Sequence, residues 1–170
     1  MKRIEPESAK ELPPADPYAV ASNIVLRQLS LAPKTRHQLL QKLAKKGTPS
    51  EVATAVLDRF TELGYVDDFT YAQMFIRSKT VSKHLSNRAL AYELAKCGID
   101  KSTIERALSE RSLDDDFQTA CALVAKKWRS MSGLDQAVRE RRILSALARK
   151  GFAANLAMRA LSEISQSANL

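Results

Sequence analysis

Apolar residues recur along the chain with a period of about fifty residues. In each period an aromatic residue stands three positions before an alanine, and two apolar residues follow that alanine after three and four positions. The first instance is Tyr18, Ala21, Ile24 and Val25. This spacing places the apolar side chains on one face of a helix. The pattern therefore predicts that each period opens with an amphipathic helix that packs on a core.

A second pattern, Leu-Ala-Lys/Arg-x-Gly, repeats with the same period at residues 43–47, 94–98 and 147–151. Its glycine suits the position just after a helix, where a left-handed backbone is common and glycine adopts it without strain. Ten residues after each glycine stands a leucine: Leu57, Leu108 or Leu161. Such internal self-similarity is typical of repeat proteins. Each period therefore predicts three helices, and the leucines before each glycine are expected in the core.

The polar residues between these stripes predict where helices begin. Asp16, Asp67 and Asp115 suit the starts of the first helices, because an acidic N-cap accepts hydrogen bonds from free N–H groups. The run Thr48-Pro49-Ser50-Glu51 predicts a capping box at the start of a third helix. We predict an all-α fold of three tandem three-helix repeats in an elongated array. The expected units are a flexible extension over residues 1–15, repeats over 16–64, 65–112 and 113–165, and a tail over 166–170.

Composition supports long helices and suggests an anionic partner. All six prolines lie before residue 50, so the remaining chain lacks the strongest helix breaker. The chain has 27 lysines and arginines against 19 aspartates and glutamates, for a net charge of +8. Such a balance favours a polyanion as the first partner to consider. Neither a membrane-spanning run nor a signal-peptide core is recognisable, so we expect a cytoplasmic, monomeric protein.

The residues offer little support for catalysis. His37 and His84 lack the spacing of metal ligands, and no phosphate-binding glycine loop or serine-nucleophile motif occurs. The acidic runs Asp67-Asp68 and 114–116 could hold a metal, but acids at helix starts more commonly cap the helix. We therefore expect no catalytic residues, no metal site and no cofactor.

Basic residues are the candidate binding surface. Cations at the ends of the second helices also complement the helix dipole, so ordinary solvated surface remains an alternative for them. Other cations are expected at the starts of second helices, where the helix dipole disfavours them: Lys34, Arg36, Arg88, Arg139, Arg141 and Arg142. The candidate partner-binding residues are Lys34, Arg36, Lys42, Lys45, Lys46, Arg77, Lys79, Lys83, Arg88, Lys96, Lys126, Lys127, Arg129, Arg139, Arg141, Arg142, Arg149 and Lys150.

These motifs together resemble the RecX family of bacterial recombination regulators. The most specific stretch runs from Leu43 to Arg77 and contains Lys-Lys-Gly at 45–47 and Gly-Tyr-Val-Asp-Asp at 64–68. In the second repeat, Arg88 followed by Glu-Leu at 93–94 and Gly-Ile at 98–99 resembles another run of that family. The resemblance covers about residues 18–164.

The resemblance implies a non-enzymatic negative modulator of the RecA recombinase. Such a protein binds the RecA–DNA filament and inhibits its ATPase, its strand exchange and its co-protease function, and thereby regulates DNA repair and the SOS response. Contact with single- or double-stranded DNA within that complex is left open. The alternative is a general helical DNA-binding protein that acts through phosphate contacts. A helical adaptor whose charge only confers solubility is a third interpretation.

Overall fold

The computed structural model describes residues 16–167, and within this range it contains nine α-helices and no strand. The predicted extension 1–15 lies outside the described residues, as do residues 168–170 of the predicted tail. The helices are α1 (Pro17–Leu31), α2 (Arg36–Lys45), α3 (Ser50–Glu62), α4 (Asp68–Lys83), α5 (Asn87–Lys96), α6 (Lys101–Ser109), α7 (Leu113–Ser130), α8 (Gln136–Arg149) and α9 (Ala154–Ser167). The predicted all-α array of three-helix repeats is confirmed.

Each group of three helices encloses its own hydrophobic core. The repeated leucine of the second helix lies at the centre of each core: Leu43, Leu94 and Leu147 are completely buried. Helix packing occurs within a repeat, where the first and second helices each lie against the third. The core positions expected from the repeat pattern are therefore confirmed.

The second helices end as their glycines predict. Gly98 and Gly151 have left-handed backbones with φ of 80° and 87°. After each glycine, the N–H of a buried apolar residue donates to the carbonyl of the repeat leucine: Ile99 to Leu94 at 3.3 Å and Phe152 to Leu147 at 3.2 Å. This arrangement is the Schellman motif, which satisfies carbonyls that the helix end leaves free.

Two predicted helix starts are wrong. No capping box forms at α3, where Pro49 is the N-cap, because the Thr48 N–H donates to the Leu43 carbonyl and completes the end of α2. Helix α7 begins at Leu113, earlier than expected, because Ser112 is the N-cap and forms a capping box with Asp115. Asp115 thus lies in the first turn of α7 and does not precede the helix.

The repeats meet through the ends of their second helices. The Thr35 hydroxyl, at the start of α2, donates to the Cys97 carbonyl at the end of α5 with a distance of 2.7 Å. The Ser86 N–H, at the start of α5, donates to the Lys150 carbonyl at the end of α8 with a distance of 3.0 Å. Helices α8, α5 and α2 therefore follow one another head to tail, with their dipoles aligned.

An acid from the following repeat completes each junction. The Arg36 N–H donates to the Asp68 carboxylate at 2.8 Å, and the Asn87 N–H donates to the Asp116 carboxylate at 2.9 Å. Burial raises the pKa of both carboxyls above the usual value, although these hydrogen bonds act in the opposite direction. The expected capping role of the acidic runs is confirmed, but Asp68 and Asp116 cap a helix of the preceding repeat.

The junctions predict a difference between two glycine substitutions. Gly47→Ala places a Cβ in open space at φ of 75°, so it should cost only the left-handed strain of about 1–2 kcal/mol. Gly151→Ala adds a Cβ that would lie 2.5 Å from the Ser86 hydroxyl oxygen and 2.9 Å from the Ala89 Cβ. We expect Gly151→Ala to cost at least about 1 kcal/mol more, because overpacking strain is added.

Chemical denaturation of the two variants beside the parent measures this difference in the free energy of unfolding. Equal losses for Gly47→Ala and Gly151→Ala would show that α5 and α8 do not meet as closely as described.

Candidate binding surface

A basic groove lies where the second and third repeats meet, and we call it the junction groove. Its volume is about 340 Å³. The lining includes four cations and a single carboxylate. The lining residues are Phe75, Lys79, Lys83, Leu85, Ala89, Tyr92, Glu93, Arg149 and Lys150. The groove therefore carries a local excess of positive charge.

The fold explains why these cations meet. Lys79 and Lys83 stand four residues apart on α4, so they share one face of its last turns. Arg149 and Lys150 lie at the end of α8, which the start of α5 contacts through the Ser86 to Lys150 hydrogen bond. The head-to-tail junction thus brings together two basic pairs that are far apart in sequence.

Two aromatic rings accompany the cations. The Lys79 Nζ lies 5.3 Å from the centroid of the Phe75 ring. Tyr92 is 61% exposed, and the Lys96 Nζ lies 4.3 Å from its ring centroid. Lys96 also pairs with Glu93, the one acid of the groove, at 3.7 Å. Phe75 is partly buried against the core of the second repeat, so Tyr92 is the ring that is open to a ligand. A cation beside an exposed ring suits a polyanion, whose charge and planar groups the pair contacts together.

His84, the C-cap of α4, is affected by nearby positive charges. This residue has a left-handed backbone with φ of 49°. Burial lowers the pKa of its imidazole, and the charges of Lys126 and Lys150 lower it further. His84 therefore lies within reach of two positive charges, that of Lys126 of α7 and that of the groove residue Lys150.

Other predicted cations have structural roles. Arg36 pairs with Asp58 at 2.5 Å. The Arg139 guanidinium lies 3.8 Å from the centroid of the Trp128 ring, and its Nε donates to the Trp128 carbonyl at 3.1 Å. Trp128 is buried in the core of the third repeat. Arg36 therefore links α2 to α3, and Arg139 links α8 to α7.

The remaining predicted cations are distributed over several surfaces. Arg88 lines a separate groove with Asp114 and Asp116, and Lys34 lines one at the first junction beside Tyr71. Lys42 and Lys46 line a groove between α1 and α2. The other cations line none of these grooves: Lys45, Arg77, Lys127, Arg129, Arg141 and Arg142.

One expectation about position is wrong. Because α8 begins at Gln136, Arg141 and Arg142 lie in its middle and not at its start. The helix dipole does not disfavour cations in the middle of a helix, so it gives no reason to assign Arg141 and Arg142 a binding role. The sequence reasoning also missed Tyr92, although the residue stands two positions from both Leu90 and Leu94. That spacing places Tyr92 on a different face of α5 from the buried leucines, so the sequence pattern predicts an exposed tyrosine.

Within residues 16–167, no helix is both long and apolar enough to cross a membrane. The same residues contain no group of three or more histidine, cysteine, aspartate or glutamate side chains placed to hold a metal ion.

Three sequence-family models match this chain. "RecX, first three-helix domain" matches residues 21–60, "RecX, second three-helix domain" matches 67–108, and "RecX, third three-helix domain" matches 114–161. The regulatory protein RecX of Streptomyces coelicolor is 40% identical over 151 residues, which cover 89% of this chain and 80% of that protein. The regulatory protein RecX of Thermobifida fusca is 41% identical over 150 residues, which cover 88% and 81%.

Solved structures share the fold. The crystal structure of RecX from Lactobacillus salivarius matches with a TM-score of 0.78 at 21% identity, covering 89% of this chain and 99% of that one. A second crystal structure of regulatory protein RecX matches with a TM-score of 0.74 at 24% identity, covering 88% and 73%. At these identities the structures support the fold alone.

The positive region predicts a shift at His84. Replacing Lys126 with glutamine removes a positive charge that disfavours the imidazolium, so the pKa of His84 should rise. Titration of the imidazole protons by NMR in the parent and in Lys126→Gln measures this change. An unchanged or lower pKa would show that the Lys126 charge does not act on His84.

Proposed function

Because the chain belongs to the RecX family of regulatory proteins, we propose that it is a negative modulator of the RecA recombinase. In this proposal it binds the RecA–DNA filament and inhibits the ATPase, strand exchange and co-protease functions of that filament. The observation that carries the proposal is the match of all three three-helix domains together with the high identity to regulatory relatives. We also place its action in the cytoplasm and propose that the monomer is the active form.

Binding alone is sufficient for such inhibition. A ligand that binds one state of a filament better than another shifts the filament toward that state. In this proposal, an array that bridges neighbouring protomers slows their relative motion or blocks growth of the filament. No catalytic group is needed in this mechanism.

The repeat architecture favours an assembled target. Three similar units held on one body present several weak contacts, and simultaneous engagement raises the overall affinity when their spacing fits the target. A filament repeats its own surface and offers such a set of sites, whereas a free RecA monomer offers one. The protein should therefore prefer the filament.

We assign the main electrostatic contact to the junction groove. Lys79, Lys83, Arg149 and Lys150 converge there from two helices, and the groove lies between the second and third repeats. An acidic protein surface or a phosphate chain would meet a converging set of donors at this place. Arg88 faces a groove with two aspartates, which suits such a ligand less.

The exposed ring of Tyr92 beside these cations also fits the alternative function, that of a general DNA-binding protein. A general helical DNA-binding protein would neutralise phosphates with lysines and stack bases on an aromatic ring. Under this alternative RecA would add nothing to the affinity.

A pair of charge reversals tests the assignment. Lys79→Glu/Lys83→Glu should raise the protein concentration that half-inhibits the RecA ATPase on single-stranded DNA by at least about tenfold, because attraction becomes repulsion. Arg141→Glu/Arg142→Glu makes the same change in net charge outside the grooves described above and is the matched control. Both variants should keep thermal midpoints near that of the parent, since exposed charges contribute little to stability.

Equal inhibition by the Lys79→Glu/Lys83→Glu variant and the parent would remove the junction groove from the proposal. Equal weakening by the control pair would show that only net charge matters.

A salt series separates the filament regulator from the DNA binder. Affinity for naked single strands should fall with salt at a log–log slope of about −0.7 per phosphate neutralised. Affinity for RecA-coated strands should be higher and fall less steeply, because apolar and hydrogen-bonded contacts with protein are added. Fluorescence anisotropy on both substrates measures the two slopes. Equal affinities and slopes, with an unaffected ATPase, would favour the alternative.

A further inference from the structure

The first repeat contains a long stretch without any carboxylate. Residues 17–50 include six lysines and arginines and no aspartate or glutamate. Helices α1 and α2 lie entirely within this stretch. Among the described residues, the one ion pair that involves this stretch joins Arg36 to Asp58 of α3. The charges of Arg27, Lys42 and Lys46 are therefore not neutralised by the repeat itself.

These three cations surround a groove between α1 and α2, which we call the α1–α2 groove. Its volume is about 460 Å³, and no acidic or aromatic residue lines it. The lining residues are Ile24, Arg27, Gln28, Leu31, Lys42 and Lys46. The groove thus combines apolar and cationic side chains, with the cations on both sides.

The apolar part of the groove continues as a stripe along α1. Val20, Ile24 and Leu31 share one face of the helix with Arg27, because their spacing follows the helical period. Val20 is 44% exposed and Leu31 is 73% exposed, whereas Ile24 is half-buried against the core. A single exposed leucine is ordinary, but an apolar stripe bordered by unneutralised cations is typical of an interaction surface.

We propose that the α1–α2 groove binds an acidic amphipathic helix of a partner protein. Apolar side chains on one face of that helix would cover Ile24 and Leu31, and its carboxylates would meet Arg27, Lys42 and Lys46. Ile24 and Leu31 are seven residues apart, or roughly 10 Å along α1, which matches two turns of a bound helix. Recognition of this kind is the helix-in-groove mode.

The chemistry of the groove favours a helix over a nucleic acid. A phosphate chain would satisfy the cations but would leave the exposed leucine uncovered, and the groove offers no ring on which a base could stack. The junction groove, in contrast, contains Phe75 and Tyr92. The two grooves therefore differ in the class of ligand that they fit.

This inference goes beyond the proposed action on RecA and does not depend on it. The α1–α2 groove lies in the first repeat, whereas the junction groove joins the second and third. A variant can thus lose one binding activity and keep the other.

A synthetic peptide tests the proposal. The probe is a fluorescein-labelled peptide of about 14 residues, roughly four helical turns, with leucines on one face, glutamates on the others and alanine between them. A peptide of the same composition, with leucines distributed around the helix, is the control. In anisotropy titrations with the full chain, the amphipathic peptide should bind at least about tenfold tighter, because only it covers the apolar stripe.

Two variants locate the binding site. Leu31→Ser and Lys42→Glu/Lys46→Glu should each weaken binding of the amphipathic peptide by at least about fivefold. The first variant removes an apolar contact, and the second replaces attraction for the peptide's carboxylates with repulsion. Val81→Ser alters a residue that is 77% exposed on α4, and Arg141→Glu/Arg142→Glu matches the charge change. Both controls should bind the peptide as the parent does. Circular dichroism checks that every variant remains folded.

Several results would overturn the proposal. These are equal binding of both peptides, or full affinity in folded Leu31→Ser. Displacement of the peptide by vesicles containing phosphatidylserine, or by a single-stranded oligonucleotide, would assign the groove to a lipid surface or to nucleic acid. Inhibition of the RecA ATPase by Leu31→Ser is measured separately, so failure of this proposal and failure of the regulator proposal are distinguishable.

Discussion

The head-to-tail contact of the second helices is the constraint on which the arrangement of the repeats depends. Each contact joins an N-cap residue to the last carbonyl of another helix, and an acid from the neighbouring repeat caps the first N–H. Both glycines at the contacts leave no room for a Cβ. Polar helix ends thus determine the spacing of the repeats, while apolar packing stays within each repeat and stabilises it.

The two junctions share this head-to-tail arrangement but differ in charge. Moving back one period of 51 residues, Lys79 and Lys83 correspond to Gln28 and Ala32. Cys97 stands at the end of α5 where Lys150 stands at the end of α8. A common architecture therefore supports a strongly basic groove at the second junction only. Charge at these positions can vary without altering the hydrogen bonds that hold the repeats together.

Local signals explain what the sequence could predict. Apolar periodicity and the glycine after each second helix depend on neighbouring residues, so the repeats, the core leucines and the helix ends were predictable. Asp67 caps its own helix, whereas Asp68 caps a helix of the preceding repeat. The sequence does not predict this division, because it depends on how the repeats meet. Similarly, the sequence shows how many cations exist but not that Lys79 and Arg88 line different grooves.

Hydrogen bonds at helix ends join the repeat that holds the α1–α2 groove to the repeats that form the junction groove. Because contacts between helix ends set the spacing of the repeats, a ligand bound in the junction groove lies at a defined position relative to the first repeat. The cations of the first repeat then lie at a defined distance from that ligand, and a second contact at the α1–α2 groove becomes intramolecular within the complex. Effective concentration then raises the affinity of a partner that reaches both surfaces, without any new contact in either groove. Loss of the Thr35 to Cys97 hydrogen bond, which joins the first repeat to the second, would remove this advantage while leaving each separate core intact.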